Sequence, residues 1–259
     1  MITSKDNAKV QLARQLGRSK KCRYDNHLFI LENKHIINEW LVQFPHLLRI
    51  ILYTGRQNKP LTSESSVEFA EVDEAVFKTI PTVKTSSGCI AIVAMNVAVP
   101  TFNSQFKSIV LLDSINKPNN LGAIIRNAVA FDCDAIVLSK DCADVYHPET
   151  IRASAGSIHH LPIYRLGETI QLKDLESYTK FYLDPKAKSQ LIEKTVSTKE
   201  VYIFGSEMGF NASLESFLDD AMPLSVEQDH RLDSLNVAVC SGIVLHHQFV
   251  LKHKSKKNV

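Results

Sequence analysis

The stretch Ser108–Ser139, SIVLLDSINKPNNLGAIIRNAVAFDCDAIVLS, decides the fold. Ile109-Val110-Leu111-Leu112 is apolar without alternation, the mark of a strand buried on both faces. It ends in a polar, Pro-containing loop from Ser114 to Asn120. Leu121 to Phe131 follows, with Leu121, Ile124, Ile125, Ala128 and Val129 at helical spacing, and Ala135 to Leu138 is a second buried strand. Such a βαβ unit closes right-handed onto a parallel sheet. Ligands of open parallel sheets sit beyond the carboxyl ends of the strands, where Asn119 and Asn120 fall. Arg126 shares a helix face with Gly122 and Ala130, off the apolar stripe. By spacing alone it is either a solvated arginine or a cation placed beside small residues for something that approaches closely.

The rest of the composition agrees with an α/β protein of one or two cores. The chain has 259 residues, 44% hydrophobic and 22% charged, the balance of an ordinary soluble globular protein. Its net charge of only +2 means that any nucleic-acid contact must come from local clustering. The five cysteines (Cys22, Cys89, Cys133, Cys142, Cys240) are scattered and odd in number, a pattern of reduced thiols that predicts a cytoplasmic protein. The N-terminus is polar, without a signal peptide, and no apolar run approaches the roughly 18 residues of a membrane span.

The N-terminal third reads as a separate small α/β unit. Ser4 to Leu16 is a helix with Ser4 or Asp6 as its cap and Ala8, Leu12 and Leu16 on one face. Around and after it lie Lys5, Lys9, Arg14, Arg18, Lys20, Lys21 and Arg23 with only Asp6 against them. This patch is either a solvated face or a surface that tracks phosphates. Strands are predicted at Leu28–Leu31, Leu48–Tyr53 and Cys89–Met95. A helix carries Ile36, Ile37, Trp40 and Leu41 inward, which makes Trp40 a core residue rather than a base-stacking platform. Lys59–Ser66 is loop and Asp73–Ile80 a short helix. Asn96–Lys107, with Pro100 and no periodicity, reads as a linker. The domains expected are therefore 1–96 and 108–259, joined by 97–107.

In the second domain Pro148 begins a helix, and Leu161–Tyr164, Lys180–Leu183, Val201–Phe204 and Ala221–Val226 are further strands. Gly205-Ser206-Glu207-Met208-Gly209 places glycines on both sides of a carboxylate, either an exposed turn or a loop that lets a ligand approach. Asp233-Ser234-Leu235-Asn236 opens a helix running to about Leu251, with Asp233 or Ser234 as cap and a disordered basic tail, Lys252–Lys257, behind it. Capping explains one of these polar residues and not all. The adjacent pairs His159-His160 and His246-His247 point to different faces, so no metal site is expected. Dinucleotide, P-loop and nucleophile-elbow motifs are absent from the sequence.

Four segments then combine. IVLLDSINKPNNLGAIIRNAVAF (109–131), YHPETIRASAGSIHHLPIY (146–164), YIFGSEMG (202–209) and DSLNVAVCSGIVL (233–245), in this order, resemble the motifs of the SpoU class (TrmH type) of SPOUT methyltransferases. The N-terminal HLFILENKHIINEW (27–40) and TSSGCIAIV (85–93) are similar to the ribosomal-protein-like substrate-binding domain that many members carry. The chain departs from the family pattern at Phe210, where a glycine is usual. It departs again after Met222-Pro223-Leu224, where a longer glycine-free stretch holds Glu227, Asp229 and Arg231.

The resemblance implies S-adenosylmethionine as cofactor and the ribose 2′-oxygen of tRNA or rRNA as acceptor. It further implies a C-terminal parallel-sheet SPOUT domain with a trefoil knot, a small N-terminal α/β domain that binds RNA, and a homodimer. Asn120, Arg126, Glu207, Ser234 and Asn236 fall on the family positions for catalysis and site architecture. Gly205, Met222 and Leu235 fall on positions whose backbone holds the cofactor, and Lys20, Lys21 and Arg23 are the RNA contacts expected. Family proposals cast Arg126 as a base. A guanidinium keeps its proton, so a clamp on the target phosphate that orients the hydroxyl is the better expectation. The competing expectation is an RNA-binding protein on the same scaffold with weak or no catalysis.

Overall fold

The apolar runs become strands of two separate sheets. The computed structural model describes residues 1–60, 67–83, 86–95, 101–189, 191, 197–206, 209–229, 231 and 234–257. They group into two units, Met1–Val97 with Tyr146–Gly156, and Ala98–Val145 with Ser157–Val259.

In the first unit, helix α1 (Ala8–Arg18) buries Val10, Ala13 and Leu16. Its cap is Asn7, whose side chain accepts from the Lys9 amide at 3.0 Å. The sequence favours Ser4 or Asp6, but Ser4 Oγ is engaged by the Asp6 amide one turn earlier. A second helix, α2 (Lys20–Asn26), follows at once, capped by Ser19 and ended by His27 in the left-handed region at φ 52°. Its composition, nearly all polar, conceals it from any apolar periodicity.

β1 (Leu28–Leu31), α3 (Lys34–Gln43), β2 (Leu48–Tyr53), β3 (Glu68–Glu71), α4 (Glu74–Phe77) and β4 (Cys89–Ala94) complete the chain order here. The sheet runs β1-β4-β2-β3, antiparallel except for the β2–β3 pair. Trp40 is 2% exposed and sits edge-on to Phe29, so it is core, as its helical spacing predicts. Its indole N–H donates to the Gly156 carbonyl at 3.0 Å. A side chain on Gly156 would meet Ile36 at 2.5 Å, and the backbone there has φ +77°, so both space and conformation call for glycine. Tyr146–Gly156 thus packs within this unit, although its position in the chain suggests the other.

The second unit is built on β5 (Ser108–Leu112), α5 (Pro118–Ala130), β6 (Ala135–Leu138), β7 (Ile163–Arg165), β8 (Thr179–Leu183), β9 (Glu200–Phe204), α7 (Glu215–Leu218), β10 (Met222–Leu224) and α8 (Val237–Lys257). Between β6 and β7 the chain leaves to form α6 (Pro148–Ala153), which belongs to the first unit. All pairings in this six-stranded sheet are parallel, in the order β10-β8-β9-β5-β6-β7. β5 lies between β6 and β9, with Ile109 beside both Ala135 and Val201, and all of its residues are buried, as in a parallel sheet covered on both faces, which is why its run is apolar without alternation. The opening βαβ unit and the parallel sheet are as the sequence predicts.

Two expectations need correction. The second half of the expected linker is not free chain, because Phe102 and Phe106 pack edge-on and tilted against Tyr164 in this core. Residues 96–100 lie outside the described residues. The basic tail is not frayed either, since α8 continues to Lys257. Gln248 of α8 donates to the fully buried Glu200, which also accepts from the Ser197 amide and the Tyr202 hydroxyl. Lys254 lies in the last turn of this helix, where the helix dipole favours a cation.

Candidate functional site

At the carboxyl ends of β8, β9 and β10 the chain encloses a cavity of about 380 Å³, within the range of small-ligand sites. Phe204, Leu224, Val226, Leu235, Val237 and Phe210 give it apolar walls, and Asp184, Ser206, Gln228 and Ser234 add polar groups. Three of the residues picked from sequence, Gly205, Ser234 and Leu235, line it. Met222 does not line the cavity and is 46% exposed. Its strand contributes Leu224 instead, two residues on and deeper toward the carboxyl edge. Glu207 lies outside the described residues.

Gly205 is fixed by its neighbour Phe210. A Cβ on Gly205 would stand 2.7 and 2.9 Å from two ring carbons of Phe210 and 3.2 Å from the Gly209 carbonyl. Phe210 in turn stands edge-on to Tyr182 at 5.8 Å. Its departure from the family's glycine therefore supplies a wall of the cavity. The loop is closed on itself by Gly209 N–H donating to Ser206 O at 3.1 Å, with Ser206 Oγ donating to Gly209 O at 3.2 Å.

The polar residues before α8 now separate in role. Asn236 is the cap, its Oδ1 accepting from the Ala238 amide at 2.9 Å, in place of the expected Ser234, while Asp233 lies outside the described residues. The other end of the same amide donates to Asn120 Oδ1 at 3.2 Å. Asn120 stands in the first turn of α5, which Pro118 begins. Arg126 lies on the same helix and is exposed to solvent. The structure thus brings Asn120 and Asn236 together, with Ser234 and Leu235 continuing from Asn236 into the cavity wall.

Spacing gave no sign of Asn127. Its amide donates to both Ala238 O and Ser241 Oγ at 2.9 Å, and Gly242 lets it approach α8 closely. It holds α5 against the start of α8. Cys240 also borders the cavity, and burial raises its thiol pKa above the ordinary value. Among the described residues no three His, Cys, Asp or Glu side chains gather as a metal site would require, and no helix is long and apolar enough to cross a membrane.

The basic stretch of the first unit is smaller than its composition suggests. Lys20 and Lys21 are exposed on α2, with Lys20 over the Tyr24 ring at 5.6 Å. Arg23 is 2% exposed, and its guanidinium donates to the Leu16 carbonyl at 2.8 Å, so the expectation of an RNA contact there is corrected. α2 packs back on α1, and Arg23 lies on the face turned inward. Lys9 pairs with Glu68, and Arg14 bonds Thr79 Oγ1 at 2.8 Å, which further thins the patch.

Known proteins share this architecture. The chain is 29% identical over 252 residues to the Bacillus subtilis (strain 168) 23S rRNA (guanosine(2553)-2′-O)-methyltransferase RlmP, covering 95% of this chain and 98% of that one. An AdoMet-bound rRNA methyltransferase from Sinorhizobium meliloti superposes with a TM-score of 0.80 at 23% identity, covering 95% of this chain and 96% of the other. The SpoU methyltransferase AviRb from Streptomyces viridochromogenes, solved with AdoMet, gives a TM-score of 0.78 at 20% identity, covering 95% and 98%. At such identities the two structures establish the fold. The SpoU rRNA Methylase family model matches residues 107–246, more than half of the chain, and the protein belongs to that family.

Proposed function

We propose that this protein is a methyltransferase that uses S-adenosylmethionine to modify a ribose 2′-oxygen of ribosomal or transfer RNA. The observation that carries the reading is the cavity walled by Gly205, Ser234 and Leu235, next to the Asn236–Asn120 hydrogen bond, in a chain of this family. The 2′-O activity of the Bacillus subtilis relative on 23S rRNA supports ribosomal RNA as the first substrate to test. The AdoMet in the two solved structures supports the cofactor.

The cavity fits that cofactor in size and in its mixture of apolar walls and a few polar groups. S-adenosylmethionine would supply a methyl group already activated on a sulfonium. Gly205 and Leu235 offer backbone to hold it, while Phe210, Leu224, Val226 and Val237 exclude water. Arg126, on the exposed side of α5, clamps the target phosphate and aims the 2′-hydroxyl, since positioning is what a weak nucleophile most needs. Asn120 and Asn236 fix α5 relative to the cavity wall. Glu207 and Ser234 are assigned to the pocket by family position, and Leu224 takes the place on the cavity wall that was expected of Met222.

The first unit serves as the RNA-binding domain, for which exposed Lys20 and Lys21 speak. A second copy of the chain covers α8. Its exposed Val239 (52%) and Ile243 (39%), four residues apart on one face, support a homodimer. The family's trefoil knot is proposed for this chain on its membership of the family, whose model spans residues 107–246. Five cysteines, none in a disulfide, agree with action in the cytoplasm.

The test is methyl transfer from labelled S-adenosylmethionine to ribosomal RNA, followed by alkaline hydrolysis. Label in an alkali-resistant dinucleotide is the expected result. Label released in single nucleotides would mean base methylation, and RNA binding without label would mean a binder on this scaffold.

A further inference from the structure

We infer that Asp113 and Asn211 form a staple that sets the shape of the cofactor cavity, positioning residues that act on the Gly205–Phe210 loop. The inference rests on the function proposed above. Asp113 is the first residue after β5 and is fully buried. Its amide donates to the Phe204 carbonyl at 2.9 Å, immediately before Gly205. Its carboxylate accepts from the Asn211 backbone N–H at 2.7 Å and from the Asn211 side-chain amide at 2.8 Å, immediately after Phe210. One residue therefore grips both ends of the loop that carries Gly205 and Phe210 into the cavity.

Asn211 extends the grip. Its amide also reaches Ser114 Oγ at 2.7 Å and Asp141 Oδ2 at 3.4 Å, so the loops that follow β5, β6 and β9 meet at one side chain. The loop after β5 leads directly into α5 with Asn120 and Arg126. A shift of the staple would move the cavity wall and the first turn of α5 together. A buried carboxylate that loses a donor is costly, so the arrangement holds Phe204 and Asn211 in one position relative to the end of β5. Neither residue lines the cavity, so neither touches the cofactor directly.

The experiment is calorimetric titration of the full-length protein with S-adenosylmethionine, combined with steady-state kinetics. Asn211→Asp sets a carboxylate against those of Asp113 and Asp141 and is expected to weaken binding and raise KM for the cofactor about tenfold, with kcat at saturation changed less than about twofold. Asp113→Asn alone is expected to cost less than about threefold, because the Asn211 side-chain amide can turn over and accept from the new amide while the backbone N–H at 211 keeps its acceptor. In the double variant D113N/N211D the amide introduced at 113 donates to the carboxylate introduced at 211, and affinity is expected to recover most of the loss seen in Asn211→Asp, the remainder set by Asp141. Unchanged affinity in Asn211→Asp overturns the staple, and so does a double variant no better than Asn211→Asp, because damage unrelated to pairing is not repaired by a swap. A parent protein that binds no S-adenosylmethionine removes the proposed function and the staple with it. Parent binding with unaffected variants removes the staple alone.

Discussion

Asn236 spends both ends of its amide, accepting from the Ala238 N–H at 2.9 Å to cap α8 and donating to Asn120 Oδ1 at 3.2 Å on α5. The cap and the cross-link can be separated. Asn236→Ser keeps an equally good cap but is too short to reach Asn120, so stability should stay within about 0.5 kcal/mol while kcat falls on the order of tenfold. Asn236→Ala should lose about 1 kcal/mol as well. An aspartate would not discriminate, because the Asn120 amide can turn over and donate to it. Full turnover in Asn236→Ser would dismiss the cross-link as a part of catalysis.

Gly205 is constrained by the ring of Phe210 and not by its own backbone angle. A methyl there would lie 2.7 Å from Phe210 Cε1, so Gly205→Ala should push the ring into the cavity and weaken cofactor binding about tenfold. Adding Phe210→Ala removes the obstacle, and the double variant should bind more tightly than Gly205→Ala alone. Titration calorimetry reads both. No recovery would mean that the methyl acts on the loop backbone instead.

The parallel sheet was legible because a strand buried on both faces of a covered sheet must be apolar on both, which is what Ile109–Leu112 and Ala135–Leu138 display. α2 was hidden because its stabilisation comes from the Ser19 cap and from Arg23 bonding a carbonyl of α1, features that leave no apolar period. The motif residues Asn120 and Asn236 were readable as positions. Their contact joins residues 116 apart in the chain, which no local pattern encodes. Asp113 and Asn211 were missed for the same reason. Each looks like a loop residue until burial and pairing are seen.

Arg126 is exposed on α5, so its substitution should leave stability nearly unaltered and isolate its role in the reaction. Arg126→Lys keeps the charge and loses the planar fork. A bidentate clamp predicts a fall in kcat/KM for RNA of at least about tenfold, with S-adenosylmethionine affinity unchanged. Near-normal turnover in the lysine variant would reject the clamp.

The basic patch divides into exposed and buried members, and the two should respond differently. Lys20→Ala with Lys21→Ala should reduce the log–log salt slope of RNA binding by roughly 0.7 to 0.9 for each phosphate that the two lysines neutralise. Arg23→Ala should leave that slope alone and cost roughly 1 to 3 kcal/mol of stability, because it strips a donor from the Leu16 carbonyl and removes a packed stem. Filter binding across a salt series, paired with thermal unfolding, distinguishes them. An Arg23 variant that folds normally but loses salt dependence would return that residue to the RNA surface.

Burial raises the thiols of Cys89 and Cys133 from an ordinary 9.0 to about 12. The Tyr178 hydroxyl, which donates to the Phe106 carbonyl, is raised by burial from 10.0 to about 12. In each case the fold holds the neutral form, and the folded pKa exceeds the unfolded one. Their contribution is therefore complete below about pH 9 and is lost as pH rises toward 12. Between those limits the unfolded chain has released a proton that the folded chain retains, so each thiol lowers the unfolding free energy by about 1.4 kcal/mol per pH unit. Stability measured by urea unfolding should be flat with respect to these groups from pH 7 to 9 and decline above it. Cys133→Ala should make that decline shallower while costing some stability at neutral pH. The same burial predicts that neither thiol reacts with iodoacetamide at pH 8 in the folded protein. Rapid alkylation of Cys133 under native conditions would show that β5 and β6 open far more readily than their buried core implies.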